Sequence, residues 1–252
     1  MSEQRKLYGT VLIHAKKILD FIMLSAQAPT LTEITEGVDI SKPTVLKILT
    51  TLEFLNFVYR DEVNKTYYIG TAMIGYSEKA LSGLDITKIA KPYLTKIRDI
   101  TGETVHLGIE EHNEIVFLEK IEGNRSVALK SRVGGDLPMY CSSMGKATLA
   151  TKTKDEIEKY ADSVDFLPRA ENTITNKARL LKEINDARKC GYAIDDRENE
   201  NEVMCIGAAI EKDKHVYGAF SVSVPAYRMT PDQQQKIIDL VLDAKAKISK
   251  QV

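Results

Sequence analysis

The segment DISKPTVLKILTTLEFLNFV, residues Asp39–Val58, constrains the fold more than any other part of the sequence. Its apolar residues recur at steps of three and four, which places them on one stripe of an α-helix. They are Val45, Ile48, Leu49, Leu52 and Leu55. We expect Ser41 to cap the first turn through its hydroxyl, and Pro43 fits there because the amide that it lacks would have no partner within the helix. The segment therefore predicts an amphipathic helix that begins near Ser41.

The polar face of this helix combines short hydroxyls with flexible cations and has no carboxylate before Glu53. Such side chains suit contacts with phosphates and with base edges. An ordinary solvated face is the alternative, since mixed polar faces are common on helices. The residues that would contact DNA from this face are Ser41, Lys42, Pro43, Thr44, Lys47, Thr50 and Thr51.

The segments before this helix help to decide between the two alternatives. An apolar stripe from Val11 to Met23 predicts a first helix. The short segment LTEITEG then predicts a second helix, with Thr32 as its cap and Gly37 as its end. A tight connector leads from there into the helix at Ser41. Helix, short helix, turn and helix is the order of a helix-turn-helix module.

The segment after the helix predicts a β-hairpin. FVYRD and KTYYIG alternate bulky and polar residues on either side of EVN. Arg60 and Lys65 lie near the tip, where they would reach a backbone phosphate or the minor groove. Such a hairpin resembles the wing of a winged helix-turn-helix module, whose third helix enters the major groove. The sequence therefore predicts binding to double-stranded DNA, and a winged module that docks a protein is the alternative.

The overall composition predicts a globular chain. Its 252 residues are 43% hydrophobic, which is enough for one large domain or two ordinary ones. No apolar run approaches the ~20 residues that span a bilayer, and the N-terminus has no signal-peptide core, so we expect a soluble cytoplasmic protein without a membrane partner. The net charge of -1 gives no general attraction to nucleic acid. The three widely spaced cysteines predict reduced thiols rather than disulfides or a zinc site.

The pattern along the chain predicts three parts. They are a winged helix-turn-helix at residues 1–70, a linker helix at 71–84 and a ligand-binding domain at 85–252. From Glu103 the pattern changes to period two, with a hairpin that turns near His112 and Asn113 and a third strand at SVALKSRVG. Helices follow from about Met144, over about residues 176–189 and from Pro231, with two late strands between the last two. This mixture of antiparallel strands and flanking helices is an α+β fold.

The two late strands, VMCIGAAI and GAFSVSV, each have a bulky side and a small, partly polar side. The small sides carry Val203, Cys205, Gly207, Ala209, Ala219, Ser221 and Ser223. A tight turn within EKDKHVYG would pair the strands, align the small sides and leave volume above the sheet. This arrangement favours a pocket for a small polar ligand, and close packing of a helix on that face is the alternative.

A second indication of a ligand comes from LPMYCSSMGKATLA. Ser142 or Ser143 caps a helix whose first amides have no partner within the helix, and these amides favour an anion. The ligand would then be a small carboxylate. An ordinary capped helix is the alternative.

Over nearly its whole length the sequence resembles the IclR family of bacterial transcriptional regulators. The resemblance is carried, in order, by SKPTVLKILTTLE, TGETVHL, RVGGDLPMYCSSMGKATLA, ENTITN, GYAIDDRENENEVMCIGAAI and AFSVSVP. It implies an operator-binding domain, a linker helix and an effector-binding domain similar to the GAF fold. It also implies a palindromic operator in double-stranded DNA, a small-molecule effector, often a carboxylic or keto acid, and assembly into a homodimer or homotetramer. We expect neither an enzyme nor a cofactor.

The effector site that the resemblance implies is formed by residues of the late strands, the Met144 helix and the segment before the late strands. It corresponds to Ser143, Met144, Gly145, Asp196, Cys205, Ser221 and Ser223. Glu202 stands where the family usually has glycine, and at the rim of the pocket it would repel an anion.

Two other functions remain as alternatives at this stage. A metal- or redox-responsive regulator would use Cys141 and Cys205, because thiolates bind soft metals. An enzyme would use Cys205 as nucleophile, His106 as base and Asp196 to orient the base. No sequence motif connects the residues of either set.

Overall fold

The structure is a computed structural model that describes residues 8–82, 85–125 and 131–252. It divides into two compact units, Met1–Gly83 and Leu84–Val252. Each unit has a hydrophobic core of its own. In the described ranges, no helix is long and apolar enough to cross a membrane.

The N-terminal unit consists of helices and one small hairpin, in the predicted order. The elements are α1 (Thr10–Leu24), α2 (Leu31–Val38), α3 (Lys42–Phe54), β1 (Val58–Arg60), β2 (Tyr67–Ile69) and α4 (Ala72–Ser82). The strands β1 and β2 pair antiparallel, with Tyr59 opposite Tyr68. The predicted winged helix-turn-helix is therefore confirmed.

The ends of α2 differ from the prediction. Thr30, and not Thr32, is the N-cap: its hydroxyl accepts a hydrogen bond from the amide of Glu33, and the Glu33 carboxylate accepts one from the amide of Thr30. The helix continues through Gly37 to Val38 and ends where Asp39 adopts a left-handed conformation with φ 51°. Gly37 instead lets the ring of Phe21 in α1 lie against the helix backbone. Close packing against Phe21, and not the end of the helix, therefore explains this glycine.

The third helix begins and packs nearly as predicted. Ser41 occupies the N-cap position, but its hydroxyl lies 2.9 Å from the hydroxyl of Thr44 and caps no backbone amide. The stripe Val45, Ile48, Leu49 and Leu52 is buried in the core of the unit. Leu55 does not belong to that stripe, because the helix ends at Phe54 and Leu55 is exposed.

The C-terminal unit contains a six-stranded antiparallel sheet with the strand order β5-β4-β3-β8-β7-β6. Its strands are β3 (Thr104–Glu111), β4 (Glu114–Ile121), β5 (Asp136–Pro138), β6 (Ala193–Asp196), β7 (Val203–Lys212) and β8 (His215–Pro225). Its helices are α5 (Asp85–Thr101), α6 (Ser143–Leu149), α7 (Lys154–Ser163), α8 (Lys177–Cys190) and α9 (Pro231–Ser249). Helices α5 and α9 pack on one face of the sheet and α6 on the other. The predicted α+β class is confirmed.

Both predicted hairpins of this unit are present. His112 and Asn113 form the turn between β3 and β4, and Asp213 and Lys214 form the turn between β7 and β8, all four with positive φ. Of the predicted strand SVALKSRVG, residues 126–130 lie outside the described residues. The short strands β5 and β6 and the helix α7 were not predicted, because three or four residues show too little periodicity and α7 has few apolar anchors.

Candidate functional site

The polar face of α3 is directed away from the core of its unit. Six of the seven residues predicted to contact DNA from this helix are exposed, and Thr44 is half-buried. The hydroxyls of Thr50 and Thr51 donate to carbonyls one turn earlier, at 2.9 and 3.1 Å. Their oxygens therefore remain available as acceptors. Within the described ranges, Lys47 forms no ion pair, so its charge faces solvent.

The wing carries its two cations close to a carboxylate of the same hairpin. Glu62 lies 3.4 Å from Arg60 and 2.8 Å from Lys65, both measured between side-chain N and O atoms. The hydrogen bond from Lys65, and then the charge of Arg60, lower the pKa of Glu62. Arg60 also lies over the ring of Tyr67, 5.8 Å from its centroid. Both cations are thus held at the tip, but they share one counter-charge.

The small faces of β7 and β8 are aligned as the alternation predicted. Cys205 is opposite Ser223, Gly207 is opposite Ser221 and Ala209 is opposite Ala219. Helix α6 packs on this face at Gly207, where a Cβ would meet the Ser143 hydroxyl at 3.0 Å. Near Cys205 and Ser223 the face instead borders a cavity of about 40 Å³. Helix α6 therefore packs on one part of this face, and a cavity borders another part of the same hairpin.

Five of the seven predicted effector residues line this cavity: Ser143, Met144, Cys205, Ser221 and Ser223. Gly145 does not line it. Its amide donates to the Ser142 hydroxyl at 3.2 Å, and a side chain there would collide with the backbone of Met139. Its role is to let α6 approach the preceding turn.

Asp196 is also absent from the cavity wall. Its carboxylate accepts a hydrogen bond from Arg197 at 3.0 Å. The neighbouring Asp195 lies opposite Cys205 in the sheet and lines the cavity. Since β6 was not recognised as a strand, its alternation could not show which of the two aspartates faces inward. Glu202 is exposed and does not line the cavity, whereas Glu200 does.

His106 joins the cavity through a chain of hydrogen bonds that the sequence gave no reason to expect. Its Nδ1 lies 3.2 Å from the Ser223 hydroxyl, and its Nε2 lies 2.7 Å from the Ser131 hydroxyl. The thiol of Cys205 donates to the Ser223 hydroxyl at 3.2 Å. Burial, and then the charge of Lys120, lower the pKa of His106 to about 3. The imidazole is therefore neutral at physiological pH and bonds its neighbours as one donor and one acceptor.

Asp195 is the buried carboxyl group of the cavity, with 4% of its surface exposed. Its Oδ1 accepts a hydrogen bond from the amide of Glu198 at 2.8 Å. Burial, and then the charge of Glu198, raise the pKa of Asp195 to about 7. Glu198 in turn lies 2.6 Å from the buried ammonium of Lys146 in α6. The segment between β6 and β7 is thereby attached to the helix that forms the other wall.

The geometry does not assemble the alternative sites. Burial raises the pKa of Cys205 well above its ordinary value and that of Cys141 to about 12, so both are thiols rather than the thiolates that metals and electrophiles require. The Cys205 thiol donates to Ser223 rather than to His106, and the Asp196 carboxylate accepts a hydrogen bond from Arg197. Among the described residues, no group of three or more metal-binding side chains is clustered.

Comparison with known proteins agrees with both halves of this structure. The family described as "Bacterial transcriptional regulator IclR C-terminal" matches residues 78–250, and "IclR helix-turn-helix domain" matches residues 11–62. The "HTH-type transcriptional regulator KdgR" of Escherichia coli (strain K12) is 28% identical over 223 residues, which cover 88% of this chain and 85% of the relative. It is named as a regulator and not as an enzyme.

Two solved structures have the same fold. The IclR structure from Thermotoga maritima is 33% identical, with a TM-score of 0.79 over 96% of this chain and 98% of that one. An IclR homolog from Microbacterium hydrocarbonoxydans, complexed with 4-hydroxybenzoate, is 21% identical, with a TM-score of 0.79 over 95% and 98%. At that identity the second structure supports the fold alone. The chain belongs to the IclR family of DNA-binding bacterial transcriptional regulators, as its sequence motifs indicated.

Proposed function

We propose that this regulator acts in the cytoplasm, where it binds a palindromic operator through α3 and the wing and responds to a small carboxylic or keto acid. The observation that carries the proposal is the free polar face of α3, which presents hydroxyls and cations and is held in place by a buried stripe on the opposite side. The proposed parts are residues 1–70 for DNA binding, 71–84 as linker helix and 85–252 for the effector.

On DNA, the residues at the start of α3 would enter the major groove. Lys42 and Lys47 supply positive charge, and Ser41, Thr44, Thr50 and Thr51 supply hydroxyls for base edges and phosphates. Pro43 is exposed in the same turn and would contact the groove wall. Arg60 and Lys65 would contact the backbone beside the site. In this arrangement the wing would position the protein on the DNA backbone, and α3 would recognise the base sequence.

The effector would bind against the β7–β8 hairpin and the start of α6. Support for this location comes from the cavity and from the small polar side chains in its wall. A relative with the same fold is complexed with 4-hydroxybenzoate, which agrees with a small acid as effector. A ligand there would contact α6, β3, β7 and β8 together and would favour one arrangement of these elements. The linker helix would transmit that preference to the DNA-binding part, which is how a ligand biases a conformational equilibrium.

Assembly into a homodimer or homotetramer is part of the proposal, because a palindrome offers two equivalent half-sites. The first turns of α1 support it. Val11 and Leu12 belong to the apolar stripe of that helix but are 58% and 72% exposed. A second copy of the chain would cover such residues, which cost free energy in water.

Substitution of the two proposed contact cations tests the DNA-binding half. We expect Lys47→Ala and Arg60→Ala each to weaken operator binding about tenfold and to lower the slope of log affinity against log salt by about one. Binding is measured by fluorescence anisotropy on a duplex selected from a random pool. Lys182→Ala, an exposed lysine on α8, is the control and should bind as the wild type does. Unchanged affinity and salt slope in both variants would remove α3 and the wing from the interface.

A thermal-shift screen against metabolites tests the effector half, because a ligand that binds only the native state raises the melting temperature. Each compound that stabilises the protein is then added to the operator complex. An effector shifts the anisotropy titration, whereas a compound that leaves DNA binding unchanged is not one.

A further inference from the structure

Helix α3 exposes a leucine among its proposed DNA contacts. Leu46 is 46% exposed, whereas Leu49 and Leu52 of the same helix are buried in the core of the unit. A single exposed leucine is ordinary on a protein surface. The residues that surround Leu46 on the helix are what give it a specific role.

Leu46 belongs to an exposed stripe of α3. Pro43, Leu46 and Thr50 follow one another at steps of three and four residues, so they lie on one side of the helix, and all three are exposed. The Thr50 hydroxyl donates to the carbonyl oxygen of Leu46 at 2.9 Å, which leaves it only as an acceptor. The stripe therefore offers apolar surface and one acceptor, and its side chains have no hydrogen-bond donor left for a ligand.

A lysine lies on each side of this stripe. At about 100° per residue, Lys42 lies about 40° beyond Leu46 on one side, and Lys47 lies about 40° beyond Pro43 on the other. Both lysines are exposed, and neither forms an ion pair within the described part of the chain. Cations on both sides of an apolar stripe match a DNA groove, because phosphates border the base edges on both sides.

Thymine is the base that suits such a stripe. It presents a 5-methyl group in the major groove, and contact with an apolar side chain removes this group from water. Guanine presents two acceptors there, which would lose their hydrogen bonds to water against a stripe without donors. The chemistry of the stripe therefore favours thymine over guanine at the base nearest to Leu46.

We infer that Leu46 contacts the 5-methyl group of a thymine in each half-site of the operator and thereby contributes to base specificity. This inference rests on the proposed docking of α3 in the major groove, and it adds one residue and the base group that this residue recognises. Lys42 and Lys47 contact the phosphates on either side, which supplies affinity without sequence preference. The Thr50 oxygen accepts a hydrogen bond from an amino group of adenine or cytosine.

Replacement of thymine by uracil tests the contact, because uracil lacks the methyl group and keeps the base pairing and the acceptors of thymine. In a duplex selected from a random pool, each thymine is replaced in turn in both half-sites, and binding of the full chain is measured by fluorescence anisotropy. Burial of one such carbon changes affinity roughly fourfold. We therefore expect about tenfold to twentyfold weaker binding for at least one symmetric pair of positions. If no replacement weakens binding, the inference is overturned.

Variants test whether Leu46 makes the contact. We expect Leu46→Ala to bind the thymine and uracil duplexes equally well at that position. Leu46→Met keeps an apolar side chain of similar length and should retain at least a threefold preference for thymine. The control Leu167→Ala removes a leucine that is 63% exposed in the other unit and should keep the full preference. Equal melting temperatures without DNA establish that the variants are folded. A preference for thymine that is as large in Leu46→Ala as in the wild type overturns the inference.

Failure of the proposed docking has a different signature. In that case Lys47→Ala also binds the operator as tightly as the wild type, with the same dependence on salt. Failure of the inference alone leaves the weaker binding of Lys47→Ala in place, while the effect of uracil is absent or does not depend on Leu46.

Discussion

The ionisation of Asp195 changes the free energy of unfolding, and this change can be measured directly. Its pKa is about 7 in the folded protein, compared with 3.8 ordinarily, so between these values the folded state holds a proton that the unfolded state has released. Ionisation of Asp195 therefore opposes folding, and the stability of the wild type falls as pH rises through this window. We expect Asp195→Asn, which can still accept from the Glu198 amide, to be more stable than the wild type by about 2 to 4 kcal/mol near pH 8.

The same comparison near pH 5 provides the internal control, because Asp195 is protonated there in the folded state. The gain from Asp195→Asn should fall to less than half of its value near pH 8, because only the part of the window between 3.8 and 5 then opposes folding. Urea denaturation at the two pH values measures both differences. A gain of equal size at both values would attribute the effect to packing rather than to charge.

Glu62 offers a second test at the scale of one residue. It binds Arg60 and Lys65 in the free protein, and next to DNA it would both compete with the phosphates and be repelled by them. We therefore expect Glu62→Gln to raise operator affinity about threefold to tenfold, as measured by anisotropy. Asp186→Asn is the matched control, since Asp186 also lies between two lysines, Lys182 and Lys189, but on α8. Lower affinity for Glu62→Gln would show that Glu62 supports the wing on DNA.

Some residues of the cavity could be predicted from the sequence, and others could not. Cys205, Ser221 and Ser223 could be placed because two strands with clear alternation fix which side chains share a face. The sequence could not show whether Asp195 or Asp196 faces the cavity, because a strand of four residues is too short for its alternation to be recognised. His106 lies in a predicted strand, but its contact with Ser131 depends on the path of the chain beyond β4, which no local pattern contains.

At the scale of elements, α1 and α2 pack together through a close contact between the Phe21 ring and the backbone at Gly37. The Gly37 position faces the ring of Phe21, so a methyl group there has no space unless the ring moves. We expect Gly37→Ala to lower the free energy of unfolding by about 1 to 3 kcal/mol. Gly75→Ala in α4 is the control, because a Cβ at Gly75 meets nothing within 4 Å. Its expected effect is neutral or stabilising by up to about 1 kcal/mol, since alanine favours helix.

Urea denaturation of the two variants separates steric fit from helix propensity. Propensity alone predicts that both substitutions stabilise. Equal gains in stability would therefore contradict the contact between Gly37 and Phe21.

The elements that could be predicted are those with long periodic patterns or strong turn residues. Helix α3 has four buried residues on one stripe, and the β7–β8 hairpin has a two-residue turn at Asp213 and Lys214. The predicted cap of α2, Thr32, was the wrong threonine, although the sequence carries the signal: Thr30 and Glu33 have the three-residue spacing of a capping box, whereas Thr35 stands at that distance from Thr32. Strand β5 pairs with β4 over only three residues, and this pairing, which no local sequence pattern shows, is what makes it a strand.

At the scale of the whole molecule, the two units divide the proposed work. The N-terminal unit presents cations and hydroxyls on a face that its own core leaves free, and the C-terminal unit has a cavity, lined in part by polar side chains, between α6 and its sheet. The family assignment accounts for both features in one chain. The coupling between them is the part of the proposal that depends on the linker helix and on further copies of the chain.

Protection of a thiol placed on α3 tests the central claim most directly. In a Cys190→Ser background, which removes the exposed native cysteine, the variant Thr50→Cys is alkylated with and without operator duplex, and modification at that position is followed by mass spectrometry. Lys182→Cys on α8 is the control. We expect the operator to slow alkylation at position 50 at least tenfold, the effect to vanish at high salt, and position 182 to be unaffected. Alkylation at position 50 that proceeds equally fast on saturated operator would contradict docking of α3 on DNA.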